Sequence, residues 1–130
     1  MTSTLPPLPD DASAATFVPP PEAVVAAPFD QLALPAPVLA NLTRLGYHLM
    51  TPIQAASLPV ALAGHDLIAQ AKTGSGKTAA FALPLLQRLD ARSFAVQALV
   101  MCPTRELGGQ VTQEIRRIAR AEDNIKILTL

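Results

Sequence analysis

A chain of 130 residues holds one small domain, and its ten Lys and Arg balance ten Asp and Glu to a formal net charge of zero. A single cysteine, Cys102, excludes an internal disulfide; with no C-x-x-C or His cluster beside it, a small buried core residue is expected rather than a metal ligand. No apolar run approaches the ~20 residues that span a bilayer, and the N-terminus has neither the basic start nor the apolar core of a secretion signal. A cytoplasmic protein without membrane contact is expected.

Charge is uneven along the chain. Residues 1–27 carry Asp10, Asp11 and Glu22 and no Lys or Arg, which leaves ten basic against seven acidic residues in the remainder. That mild excess is compatible with a nucleic-acid partner without indicating one. The same leader is dominated by Pro, Ala, Ser and Thr, with Pro6-Pro7, Pro9 and Pro19-Pro20-Pro21. Such a segment forms neither a helix nor a central strand and buries too little to offset its ordering entropy, so a disordered leader is expected over 1–27.

Order is expected from near Phe29. Val38, Leu39, Leu42 and Leu45 have helical spacing over Pro35 to Leu45, and Gly46 stands where a helix C′ residue would. Thr51 suits an N-cap and Pro52 the first helical position, giving a second helix from Pro52 to about Leu62, stopped by Gly64. Asp66 to Gln70 reads as a strand, Ala79 to Leu89 as a helix, and Val96 to Cys102 as a buried strand. Thr104 caps a further helix to about Arg120, with Leu107, Val111, Ile115 and Ile118 as its buried stripe. Ile125 to Leu130 starts another strand. Alternating strands and helices predict an α/β fold with right-handed crossovers and a parallel sheet covered by helices. Three strands with an unpaired edge predict weak stability for the isolated chain.

Between the first strand and its helix lies Ala71-Lys72-Thr73-Gly74-Ser75-Gly76-Lys77-Thr78. A glycine-rich turn ending in Gly-Lys-Thr lets successive N–H groups point into one concavity, to which the helix N-terminus adds its positive dipole end. In the pattern G-x-x-x-x-G-K-[ST], Lys77 reaches the β- and γ-phosphates of a nucleotide and the Thr78 hydroxyl coordinates Mg²⁺. These two residues are the catalytic candidates, and Thr78 is the metal candidate through the bound nucleotide. Ala71 stands where the pattern asks for glycine. It keeps the small size that close approach needs but disfavours a positive φ. A Gly/Ser loop that merely links strand to helix is the plainer alternative.

Two further stretches narrow the assignment. One is Phe29 together with Gly46-Tyr47-His48-Leu49-Met50-Thr51-Pro52-Ile53-Gln54; the other is Pro103-Thr104-Arg105-Glu106-Leu107-Gly108-Gly109-Gln110. With Ala71 to Thr78, and in the same order, they resemble the Q motif, motif I and motif Ia of the DEAD-box RNA helicases. The aromatic 17 residues ahead of the Q-motif glycine matches as well. The resemblance covers about residues 28–130. Within the family, Gln70 to Phe81, Met50 and the ending Lys126 to Leu130 are most similar to the DbpA-like branch of bacterial ribosome-assembly helicases.

The resemblance implies an incomplete RecA-like P-loop domain over 28–130, with ATP and Mg²⁺ as cofactors, RNA (in the full-length protein, ribosomal RNA) as partner, and no stable oligomer. Nucleotide contacts then fall on Phe29, Tyr47, Thr51, Gln54 and Ala71 to Thr78, and RNA contacts on Pro103, Thr104, Arg105, Glu106 and Gln110. Local alternatives stand beside each role. Thr51 and Gln54 have the spacing of a capping box, which needs no ligand, although an amide side chain also complements an adenine edge. Phe29 is either a core plug or a stacking platform for the base. Thr104 and Arg105 either cap a helix or hold an RNA phosphate. Gly108 departs from the family's usual Ala, and Gly108-Gly109 costs ~1 kcal/mol per glycine, which loosens the helix start. Arg116, Arg117 and Arg120 read as a solvated helix face.

Hydrolysis at a phosphate loop also needs an acid for the metal and a group that orients water. The chain has no Asp-Glu-Ala-Asp, no Ser-Ala-Thr and no room for a second domain. The expectation is a nucleotide-holding fragment of an ATP-dependent helicase, without turnover of its own. A non-catalytic nucleotide- or RNA-binding regulatory product is the alternative, and an unrelated P-loop kinase or GTPase is a third reading.

Overall fold

The computed structural model describes residues 16–17, 26–122 and 124–130. Four helices carry the fold: α1 (Ala36–Arg44), α2 (Pro52–Leu62), α3 (Lys77–Gln87) and α4 (Arg105–Ala119). Two short strands, β1 (Thr16–Phe17) and β2 (Leu67–Ile68), pair in parallel with Thr16 opposite Leu67 and Phe17 opposite Ile68.

Local chemistry sets the helix ends. Pro35 and Pro37 open α1, where the missing N–H costs nothing. Its end is a Schellman turn: Gly46 takes φ +89°, Gly46 N–H donates to Thr43 O at 3.0 Å, and Tyr47 N–H donates to Leu42 O at 2.9 Å. That turn fixes the direction in which Tyr47 leaves the helix. Helix α2 begins at Pro52 and ends at Leu62, as its pattern predicts, and Gly64 follows at φ +95°. Helix α4 runs unbroken through Gly108–Gly109 from its cap at Thr104.

The core lies where the four helices meet. Leu42 of α1, Leu58 of α2, Leu83 of α3 and Ile118 of α4 are all but fully buried, so each helix contributes a large apolar side chain to one core. Leu83→Ala is expected to lower the unfolding free energy by about 2–5 kcal/mol, as a chemical denaturation curve would show.

The strands depart from the sequence expectation. Val96 to Cys102 forms neither helix nor paired strand, and Val96, Leu99 and Met101 are 89%, 74% and 84% exposed instead of buried. Ile125 to Leu130 forms no strand either, and Asp66 to Gln70 contributes only Leu67–Ile68. An extended segment becomes sheet only when a neighbour takes its N–H and C=O groups, and these three segments do not pair with one another. The pairing that β2 makes is with Thr16–Phe17, two residues from the stretch expected to be a disordered leader. An open strand edge accepts any extended segment within reach. Apart from these two and Ala26–Ala27, the leader lies outside the described residues.

Candidate nucleotide site

The phosphate loop joins β2 to α3 and takes its shape from two glycines. Gly74 and Gly76 have φ +79° and +85°, and Ser75 N–H closes a turn onto Lys72 O at 3.3 Å. Asn124 is the one non-glycine with positive φ among the described residues. Ala71 therefore sits in ordinary backbone, and its departure from the glycine pattern costs no strain. Gly76 is the N-cap of α3 and offers no side chain to cap it. The first intrahelical bond is Ala80 N–H to Gly76 O at 3.3 Å. The N–H groups of Lys77, Thr78 and Ala79 lie ahead of it and are free to point at an anion. Nothing stands within 4 Å of where a Gly74 Cβ would be, so that side of the loop is open.

Lys77 is exposed, and its ammonium donates to Ala71 O across the loop. The cation is thus held at the rim of the concavity, on an acceptor that a phosphate oxygen outcompetes by its charge. Two buried hydroxyl oxygens, Ser75 Oγ and Thr51 Oγ1, have no hydrogen-bond partner. Each orphaned polar atom costs ~1–3 kcal/mol. Free amides, an open glycine face, an exposed cation and unsatisfied hydroxyls together fit a polyphosphate.

The Q-motif stretch is built against the back of this loop. Gln54 is 1% exposed; its Oε1 accepts from Thr51 N–H at 2.9 Å and its Nε2 donates to Gly76 O at 3.1 Å. Gly76 O therefore serves both α3 and Gln54. Thr51 and Gln54 have the arrangement of a capping box, but its return half is loose, since Thr51 Oγ1 makes no hydrogen bond of normal geometry. One N–H and one lone pair of the Gln54 amide remain uncommitted. The capping role and a base-reading role are thus compatible, although a base reaches so buried an amide only with a shift of the junction.

Phe29 is 3% exposed and packs edge-on against Tyr47, with ring centroids 6.0 Å apart and an interplanar angle of 88°. It belongs to the core and also borders a cleft of about 140 Å³, lined with Pro28, Asp30, Leu39, Thr43, Tyr47 and His48. The Tyr47 hydroxyl donates to Glu114 Oε1 on α4. Burial, followed by this carboxylate, pushes its pKa up to about 12, so the phenol remains a donor throughout the neutral range.

The motif Ia stretch opens α4. Thr104 is the N-cap, its Oγ1 accepting from Leu107 N–H at 3.2 Å. Pro103, Arg105, Glu106 and Gln110 are exposed beside it. Arg116 and Arg117 do not form a bare cationic face: Arg116 Nη2 donates to Ile127 O at 3.0 Å, and Arg117 Nη1 pairs with Glu114 Oε2 at 3.1 Å.

The structure thus brings Thr51, Gln54 and the loop together, packs Phe29 against Tyr47 at the core with Tyr47 bonded to α4, and presents 103–110 on a separate helix end. Two contributors escaped the sequence reading. Asn41 is buried in α1, and its Nδ2 donates to Arg117 O at 3.1 Å and Ile118 O at 2.9 Å, serving the last carbonyls of α4. Glu114 joins α4 to the Q-motif segment. The available signal for Asn41 was a polar residue inside the apolar stripe of its helix.

Comparison with known proteins agrees with this geometry. A family model described as DEAD/DEAH box helicase matches residues 51–130, a range that includes the phosphate loop and the start of α4 but not Phe29 or Tyr47. The ATP-dependent RNA helicase DbpA of Escherichia coli (strain K12) is 64% identical over 97 residues, which are 75% of this chain and 21% of that protein. The ATP-dependent RNA helicase DeaD of the same organism is 46% identical over 102 residues, 78% of this chain and 16% of that protein. Among solved structures, a DEAD box protein from the hyperthermophile Methanococcus jannaschii aligns with a TM-score of 0.67 and 36% identity, over 72% of this chain and 26% of that one. The RNA helicase Prp28 from Chaetomium thermophilum bound to ADP aligns with a TM-score of 0.67 and 43% identity, over 72% and 24%. The chain thus spans about a fifth of the length of DbpA. The fold is the RecA-like α/β type of these helicases, represented by its helices with little strand. With its phosphate loop, Q-motif helix and α4 in the family's order and fold, the chain belongs to the DEAD/DEAH box helicase family.

Proposed function

We propose that these residues are the ATP-binding part of an RNA helicase of cytoplasmic, ribosome-assembly type, and that they bind nucleotide without turning it over. The observation that carries this reading is the uncapped start of α3 behind two left-handed glycines, with Lys77 poised on a loop carbonyl.

The loop N–H groups from Lys72 to Thr78 hold the phosphates, Lys77 neutralises the β- and γ-phosphates, and Thr78 ligates Mg²⁺. Mg²⁺, when bound, would be held on the protein side by the Thr78 hydroxyl and would supply positive charge against the phosphates. Gln54 reads the adenine edge with its uncommitted N–H and lone pair, and Thr51 keeps the Gln54 side chain oriented. Phe29 and Tyr47 back the base side of the site. At the start of α4, Pro103, Thr104, Arg105, Glu106 and Gln110 meet the sugar–phosphate backbone of single-stranded RNA, with Arg105 supplying the charge. The likeness of residues 70–81 to the DbpA-like branch supports ribosomal RNA as the substrate class of the full-length protein. No Asp-Glu-Ala-Asp lies in the sequence, and Glu114 is committed to Tyr47 and Arg117, which supports binding without hydrolysis.

Equilibrium titration of the chain with Mg·ATP and Mg·GTP tests this reading. ATP is expected to bind about tenfold more tightly, since guanine leaves the Gln54 amide mismatched. Equal affinity would show that Gln54 does not read the base. ATP turnover by the purified chain, removed by Lys77→Ala, would contradict binding without hydrolysis.

A further inference from the structure

A continuous series of contacts leads from the phosphate loop to the helix proposed to face RNA. Gly76 O is held by Gln54 Nε2 at 3.1 Å, and Gln54 Oε1 holds Thr51 N–H at 2.9 Å. Thr51 ends a short segment tied to its surroundings: Met50 N–H donates to Ala27 O at 2.8 Å, and Leu49 forms an antiparallel bridge with Pro28. Tyr47 begins that segment, its direction set by the Schellman turn at Gly46 and its ring braced by Phe29. The Tyr47 hydroxyl then donates to Glu114, in the middle of α4, and Glu114 holds Arg117 through its other oxygen.

We infer that the Tyr47–Glu114 hydrogen bond couples the phosphate loop to α4, with Tyr47 a positioning residue and not a direct nucleotide contact. This rests on the nucleotide and RNA assignments above. Phosphate drawn into the loop displaces Gly76 and with it Gln54, whose Nε2 holds Gly76 O at 3.1 Å and whose Oε1 holds Thr51 N–H at 2.9 Å. The strain arrives at Tyr47, and the hydroxyl transmits it to Glu114. Coupling of this kind is reciprocal: whatever nucleotide does to α4, a ligand on α4 does to nucleotide affinity. A competing route exists, because α3 packs directly against α4. The two routes differ in what the Tyr47 hydroxyl contributes.

Amide hydrogen exchange of the 130-residue chain, with and without Mg·ATP, separates them. In the unsubstituted chain, ATP is expected to slow exchange across Gly74 to Ala80, and also across Leu107 to Gln113 by about fivefold or more. Tyr47→Phe keeps the ring on Phe29 and removes only the hydroxyl. It is expected to retain the loop response and to reduce the α4 response to less than about twofold. Glu114→Gln, which keeps an acceptor oxygen, is expected to retain both. Glu114→Ala removes the same bond from the other side and carries the test if Tyr47→Phe is unfolded by circular dichroism.

An α4 response undiminished in Tyr47→Phe or Glu114→Ala would assign the coupling to the α3–α4 contact and overturn the inference. A loop response without an α4 response in the unsubstituted chain would overturn it too, while leaving the nucleotide assignment standing. No loop response at saturating ATP would remove the nucleotide assignment, and the inference with it.

Discussion

Gly76→Ala is expected to destabilise the chain by about 2–5 kcal/mol and to abolish measurable nucleotide binding. Two independent penalties combine at this position. Gly76 has φ +85°, in the left-handed region where an added Cβ costs ~1–2 kcal/mol. The Cβ would also collide with Gln54 Nε2 and come within 3.1 Å of both Gln54 Cδ and Thr51 Oγ1. Gln54 is nearly fully buried and cannot swing into water, so the collision displaces it and breaks its bond to Gly76 O. A buried amide left without its acceptor adds ~1–3 kcal/mol. Chemical denaturation measures the stability term, and nucleotide titration the loss of the cradle. Gly109→Ala is the matched control. Nothing lies within 4 Å of its added Cβ, and it lies inside α4, where alanine is better by roughly 1 kcal/mol. One glycine substitution should weaken the fold and the other strengthen it.

Lys77→Ala should do the reverse of Gly76→Ala, sparing the fold and removing the ligand. The side chain is exposed, and its hydrogen bond is to the Ala71 carbonyl on the loop itself. An exposed position with so little packing changes stability by less than about 0.5 kcal/mol. A charge-assisted contact to phosphate is worth ~1.5–3 kcal/mol, so ATP affinity should fall about 10- to 150-fold. Lys77→Arg keeps the charge but not the compact ammonium, and should recover only part of the loss. Melting curves of the three proteins should superimpose while their ATP titrations separate.

How far the sequence spoke depended on how local each feature is. Helices α1, α2 and α4 were legible because caps and stops are short-range: Gly46 ends α1, Thr51-Pro52 starts α2, and Thr104 starts α4. The phosphate loop was legible for the same reason, its glycines standing where the backbone turns left-handed. The strands were not. Val96 to Cys102 has the apolar content of a buried strand, yet stays exposed, because a parallel strand is defined by neighbours distant in sequence. Thr16–Phe17 shows the converse: a segment with no strand signal pairs with β2 because that edge is open to it. The partners of Tyr47 and Asn41 lie on α4, far along the chain, and no spacing rule connects such residues. Gln54 falls between these cases, since its capping contact is local and its contact with Gly76 is not.

Ala71 to Thr78 is proposed to bind Mg·ATP through loop amides and Lys77. Titration of the isotope-labelled chain with Mg·ATP, followed at the amide resonances of Gly74, Gly76, Lys77 and Thr78, tests it most directly. Saturable shifts at these four amides, absent in Lys77→Ala at the same ATP concentration, are the predicted result. Loop resonances that stay fixed at millimolar ATP, or that shift equally in Lys77→Ala, would contradict it.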